Sequence, residues 1–267
     1  KEFSEINLAA KTHDKFIAEY IGDIIFLYNA SDATKIPLRQ KPLKVEKEKK
    51  PKEKRGRPKK SEIREPIKPT ILAQQKDMQT TQEMLSLISK ECGVGIKQNS
   101  KGNREVWIGG KLHISTVDGD IPITAIYSSA NVHDSSVALP LIGETSKKIN
   151  YLYDLQDAGY DADIIRDFSK QHGHCPIIDI NPKNSSVLRE KIQLQEDEKK
   201  KFEFFGLREL SDTHHYNQRS MVERVNKYLK DDFGCDKIYY QGATKVASVL
   251  AFGILCICIH QSLKMIT

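Results

Sequence analysis

Four chemically capable side chains recur at fixed spacing in the segment 216–230, YNQRSMVERVNKYLK. At about 100° per residue, Tyr216, Arg219 and Lys230 fall within roughly 40° of Glu223 on a helix. Met221, Val222, Val225, Tyr228 and Leu229 cover the opposite side. One face is therefore an aromatic ring, a cation, a carboxylate and a second cation, while the other is core. Taken by itself, such a face is most simply a solvated one, with Arg219 and Glu223 forming an i,i+4 pair worth about 0.2–0.5 kcal/mol.

The order Tyr, two residues, Arg, three residues, Glu, six residues, Lys resembles the Y-R-E-K motif of bacterial insertion-sequence DDE transposases, in all four residue types and all three gaps. The resemblance implies an RNase H-like fold on which three carboxylates hold divalent metal. Its first carboxylate ends the first strand, which points to Asp32 in Ser31-Asp32-Ala33-Thr34. Its second lies in a context like Asp-x-Gly-Tyr, which points to Asp157 before Ala158-Gly159-Tyr160, and Glu223 is the third. Gly109-Gly110-Lys111-Leu112-His113, Ser129-Ala130-Asn131-Val132-His133-Asp134, the run 227–234 and the apolar closing helix are also similar to the family. The resemblance extends from about residue 24 to the C-terminus and departs from the family in a basic insertion after Asp32 and in the charged segment 185–212.

Hydrolysis and transfer of a phosphodiester require stabilised charge on the attacking and leaving oxygens, which two Mg²⁺ or Mn²⁺ ions supply. Such hard ions prefer carboxylate oxygens to Cys or His. The resemblance implies that Arg219 and Lys230 contact phosphates near the scissile bond and that Tyr216 orients a phosphate or stacks on an unpaired base. It further implies cleavage at transposon ends and 3′-OH strand transfer into target DNA. The partners would be double-stranded DNA and a second copy of the chain in a synaptic complex, in a bacterial cytoplasm, with nucleoid association when bound to DNA. The alternatives are a DNA-binding or architectural relative without catalysis, and a nuclease of the same fold without strand transfer.

Rival residues are weaker. Asp154 lies inside its strand rather than at its end, Asp23 precedes the first strand, and Asp118 and Asp120 are turn residues. His133-Asp134 reads as a helix start, since Asp is a good N-cap. His172, His174 and Cys175 have no fourth ligand for zinc in their spacing, and His214-His215 reads as loop.

Net charge is +6 over 267 residues, yet the segment 41–60 alone carries eleven basic and three acidic side chains, a local +8. With Pro42, Pro51 and Pro58 and few apolar residues, the insertion 38–70 is expected to be extended or disordered. Within it, Arg55-Gly56-Arg57-Pro58 flanked by cations resembles the AT-hook motif, so that Arg55 and Arg57 would enter an A·T-rich minor groove. The plainer reading is a charged linker attracted to phosphate. The five cysteines form no CxxC pair, which fits a reducing compartment. The longest apolar run, 246–259, is 14 residues, too short to span a bilayer comfortably, and no segment near residue 1 reads as a secretory signal, so no membrane partner is expected.

These residues need elements to position them. Helices are expected over 2–20, 71–91, 134–142, 160–172, 187–203, 218–232 and 244–264, and strands over 24–28, 106–116, 121–128, 150–155 and 176–180. Three early strands with an antiparallel hairpin, followed by strands alternating with helices, make the element order of an RNase H-like mixed α/β sheet flanked by helices. Residues 1–23 are expected to lead from an upstream DNA-binding region into a catalytic domain over 24–267.

Overall fold

Alternation decides where the longest strand lies. In β1 (Ile25–Pro37), Phe26, Tyr28, Ala30 and Ile36 are buried in apolar clusters, while Asn29 and Ser31 are buried on the other face, Asn29 against Ser115 and Asp154. The computed structural model describes residues 2–42, 69–98, 102–182, 185–204 and 211–266. Most of the insertion, with Arg55 and Arg57, lies outside the described residues.

Before β1 come α1 (Glu2–Glu5) and α2 (Leu8–Tyr20), and the expected single helix is interrupted at Asn7, which sits at φ 53°. After the insertion follow α3 (Ile71–Gln75) and α4 (Thr81–Ser86) instead of one helix. The second starts afresh because Thr80 and Glu83 form a reciprocal capping box. Then come β2 (Gly93–Gln98), β3 (Arg104–Val117), β4 (Ile121–Ser129), α5 (Ser135–Ser146), β5 (Asn150–Gln156), a 3₁₀ turn at Ala158–Tyr160, α6 (Asp163–Gln171), β6 (Cys175–Ile178), α7 (Ser186–Phe204), α8 (Ser211–Asn217), α9 (Ser220–Asp231) and α10 (Ala243–Ile266).

The six strands form one sheet in which β3 pairs antiparallel with β1, β2 and β4, and β1, β5 and β6 run parallel. This is the mixed sheet flanked by helices expected of the RNase H-like fold. One face packs against α9 and α10 through Ala30, Ile36, Leu112, Ile114 and Leu155. The other packs against α4, α5 and α6 through Ile126 and Ile178. α10 is longer than the apolar run inside it, and by length and composition alone it could cross a membrane. Here it lies on the sheet, with Val246, Leu250, Ile254 and Ile257 in the core. Cys258 is fully buried, whereas Cys256 is partly exposed.

β2 has no counterpart among the expected strands. It pairs with the first half of β3 as a ribbon, in which Trp107 lies over Gly95 and donates its indole N–H to the Gly110 carbonyl at 3.2 Å. Gly109, at φ 151°, lets β1 and β3 approach so closely that a Cβ there would sit 2.1 Å from the Ile36 carbonyl oxygen. Gly109→Ala is therefore expected to cost at least about 3 kcal/mol in urea denaturation. Gly173→Ala, at φ 85° but with open space around it, should lose only the backbone preference, about 1–2 kcal/mol.

Candidate active site

The parallel pairing of β1 with β5 runs from Ile25 opposite Asn150 to Ser31 opposite Gln156. Asp32 and Asp157 are the next residues on the two chains. Asp157 has left the sheet and caps the 3₁₀ turn, its Oδ1 accepting the Gly159 amide at 2.9 Å. Asp32 does not end its strand as expected. β1 continues to Pro37 along β3, so Asp32 is mid-strand but stands where the parallel partner has departed. Burial pushes its carboxyl up to about 6; neighbouring Asp157 adds to the rise, against the Ala33 amide, Arg219 and Lys97.

Asp154 lies elsewhere. It is fully buried on the face turned away from α9, where it accepts from Ser169 Oγ at 2.8 Å, Asn29 Nδ2 at 3.2 Å and Gln156 Nε2 at 3.5 Å. Ser115 Oγ in turn donates to Asn29 Oδ1.

The Tyr–Arg–Glu–Lys stripe is not on one continuous helix. Tyr216 is on α8, Arg219 is at the junction, and Glu223 and Lys230 are on α9. Across the junction the backbone tightens to i,i+3 bonds, with Arg219 donating to the Tyr216 carbonyl at 2.9 Å and Val222 to that of Arg219 at 3.2 Å. α9 is held to the sheet by Met221, Val222, Val225 and Leu229, all buried. At about 1.5–3 kcal/mol for each such side chain, this burial outweighs any surface ion pair in fixing the helix.

The polar face of α9 is thus free to meet the strand ends. Arg219 Nη2 bonds Glu223 Oε1 at 2.7 Å, and its guanidinium lies 5.7 Å from the Tyr216 ring centroid. Burial opposes the Arg219 charge, but Tyr216, Asp32, Glu223 and Asp157 together hold it more firmly protonated than a free arginine. Arg219 is therefore a resident cation among the three expected carboxylates. Tyr216 also hydrogen-bonds Asp179, just past β6, and burial together with that carboxylate raises its hydroxyl pKa. Lys230 is partly buried; burial and Lys35 lower its pKa, against Asp236 and Asp32.

Two further residues escaped the sequence reading. Asn226 Nδ2 reaches Asp32 Oδ2 at 3.4 Å, and its position three residues after Glu223 was a helical-spacing signal. Buried Tyr160 lies close enough for Asp32 and Asp157 to bear on its hydroxyl. Tyr160 Oη, Asn226 Oδ1 and Arg219 Nε have no hydrogen-bond partner among the described residues.

A divalent ion suits this wall. The donors are hard oxygens, two carboxylates directly follow the last paired rung of β1 and β5, buried polar atoms are unpartnered, and a guanidinium now balances the charge. Among the described residues, no three His, Cys, Asp or Glu side chains are close enough to share an ion in this arrangement.

The other marked residues serve the scaffold. His215 is on α8 rather than in a loop, bonds Tyr28 Oη at 2.6 Å and stacks on Tyr153. His174 uses both ring nitrogens, on Ser146 Oγ and the Tyr151 carbonyl. Asp134 stands at the start of α5 without capping it and pairs instead with Lys111 at 2.8 Å; His133 Nδ1 accepts the Ser135 amide.

Burial pushes Asp154 up to about 6 despite its three donors. Its neutral form is favoured by folding, so its contribution to stability is fully present below the ordinary carboxylate pKa and is lost as pH rises through about 6. In urea titrations, Asp154→Asn should lack this decline, gaining on wild type by about 2–3 kcal/mol between pH 4 and 7.5. Parallel pH profiles of the two proteins would refute the assignment.

A family model described as the transposase DDE domain matches residues 30–259. No curated protein and no solved structure matches the chain.

Proposed function

The chain belongs to the transposase DDE domain family, and we propose that it cleaves DNA at transposon ends and joins the freed 3′-OH to target DNA. The observation that carries this reading is that Asp32 and Asp157 each follow the last paired rung of β1 and β5 and bear on one another, with Arg219 linking them electrostatically to Glu223. The Tyr216–Arg219–Glu223–Lys230 spacing supports membership of the Y-R-E-K group within the family.

Asp32, Asp157 and Glu223 would hold one or two Mg²⁺ or Mn²⁺ ions, which supply charge neutralisation on the attacking and leaving oxygens. Asn226 holds the Asp32 carboxylate in place through its amide. When the carboxylates no longer need Arg219 as counter-charge, its guanidinium is released to a phosphate, for which its planar donor fork is suited. Lys230 supplies a second cation on the Asp32 side, and Tyr216, held by Asp179, offers a ring edge and hydroxyl to the strand. The acting species would be a dimer on paired transposon ends.

The decisive experiment incubates the protein with labelled DNA flanking its own gene while titrating Mg²⁺ or Mn²⁺. Nicking that depends on metal, followed by joined products, is the expected result. Asp32→Asn, Asp157→Asn and Glu223→Gln should each lower cleavage by at least about 10²-fold while DNA affinity changes little, since the cations remain. Cleavage retained in any of the three would remove that residue from the site. Nicking without joined products would favour a nuclease, and binding without either an architectural protein.

The insertion has its own test. If Arg55 and Arg57 read the minor groove, replacing both by Ala should weaken binding to A·T-rich duplex more than to G·C-rich duplex at one salt concentration. An equal loss on both duplexes would make the segment an electrostatic tether.

A further inference from the structure

Beside the carboxylates lies a second group of charges, of opposite sign. Lys35 on β1 forms an ion pair with Glu105 on β3. Lys97 on β2 stands directly across the ladder from Glu105. Glu105 thus reaches a lysine further along the strand that carries Asp32, and the charge of Lys97 bears on the Asp32 carboxyl itself.

Lys230 completes the group from α9. Its charge is felt by Glu105, and it in turn feels Lys35, Lys97 and Asp32. Glu105 is stabilised as an anion first by its bond to Lys35 and that lysine's charge, then by Lys97 and Lys230. Lysines from three elements therefore bear on one exposed carboxylate, next to a site that would process phosphodiesters: Lys35 pairs with it, Lys97 lies across the ladder from it, and the charge of Lys230 reaches it.

We propose that Lys35, Lys97 and Lys230 form a phosphate subsite adjoining Asp32, in which Glu105 is the resident anion that a DNA phosphate displaces. The proposal rests on the DNA-processing reading and deepens it. It adds Lys35 and Lys97 to the binding surface, and it gives the β2–β3 ribbon the task of presenting both a cation and its internal competitor. The arrangement mirrors Arg219, a resident cation among carboxylates: in each case a side chain of the chain itself balances a charge that a bound ion or phosphate would otherwise balance. An internal counter-ion keeps lysines from repelling one another before DNA arrives, at the cost of competing with it.

Glu105 is surface-exposed, with its side chain about half accessible, so its replacement should not disturb folding. The test measures binding of a short fluorescein-labelled duplex by anisotropy, in EDTA, across about 50–200 mM salt. Glu105→Gln should bind roughly threefold or more tightly than wild type, with a log–log salt slope steeper by up to about one. Lys35→Ala and Lys97→Ala should each flatten the slope by about one. Lys11→Ala on α2, with the same change in net charge, should leave the slope unchanged. Glu105→Gln binding no tighter than wild type, or Lys11→Ala flattening the slope as much as Lys97→Ala, would overturn the subsite while leaving the DNA reading intact. Failure of the wild-type protein to bind the duplex at all would overturn both.

Discussion

The site depends on where the parallel pairing of β1 and β5 stops. A parallel ladder carries its two chains in the same direction, so their ends lie side by side, and functional groups gather there in α/β folds. Here the last paired rung is Ser31 with Gln156. Beyond it β5 turns away through the 3₁₀ turn, while β1 continues along β3. That divergence gives Asp32 an open flank in an otherwise covered strand and puts Asp157 next to it. Asp154, inside the part of β5 paired on both sides, relies instead on three side-chain donors to offset its burial.

The hairpin turn between β3 and β4 holds both sides of this arrangement. Asp118 Oδ2 accepts the Leu27 amide at 2.8 Å and the Tyr28 amide at 3.1 Å, fixing the start of β1. Two residues on, Asp120 receives Arg224 through Nε and Nη2, the latter at 2.6 Å, and so fixes α9 one residue after Glu223. Forked guanidinium–carboxylate geometry sets orientation as well as distance. Apolar burial decides that α9 lies on the sheet; the Asp120–Arg224 contact bears on how the helix is turned about its axis. Residues that looked like ordinary turn formers thus tie the strand carrying one carboxylate to the helix carrying another.

Much of this was legible because it was periodic. The buried face of α9, the β3–β4 hairpin and the alternation of later strands with helices follow directly from apolar spacing. What periodicity could not reveal was decided by single local interactions. The capping box at Thr80 and Glu83 splits an apolar stretch that otherwise reads as one helix. β2 is hard to read because Gly93 and Gly95 occupy one of its faces, and Gly95 is needed there to receive the Trp107 ring. The stripe from Tyr216 to Lys230 has the right spacing but not the continuous helix inferred from it, since i,i+3 bonding at Arg219 turns α8 into α9. Strand length misled too. The family resemblance put Asp32 at a strand end and the apolar run stops at Tyr28, whereas the backbone ladder with β3 continues through polar residues to Pro37.

Parity along β1 and β5 distinguishes the two aspartates of the second strand more firmly than their sequence context does. Asn29 pairs with Asp154, and both side chains enter the buried seam with Ser115 and Ser169. Side chains alternate between faces with a period of two. Three residues further on, each chain therefore presents the other face, which is where Asp32 meets Asn226 of α9. Asp154 cannot join Asp32 without a one-residue slip of β5, and such a slip would also turn Leu155 out of the apolar core and Gln156 into it. The buried Asn29–Asp154 contact opposes that slip from the far side of the sheet. The polar seam beneath and the carboxylates above are thus two consequences of one register, and the register that satisfies Asp154 leaves Asp157 at the edge beside Asp32.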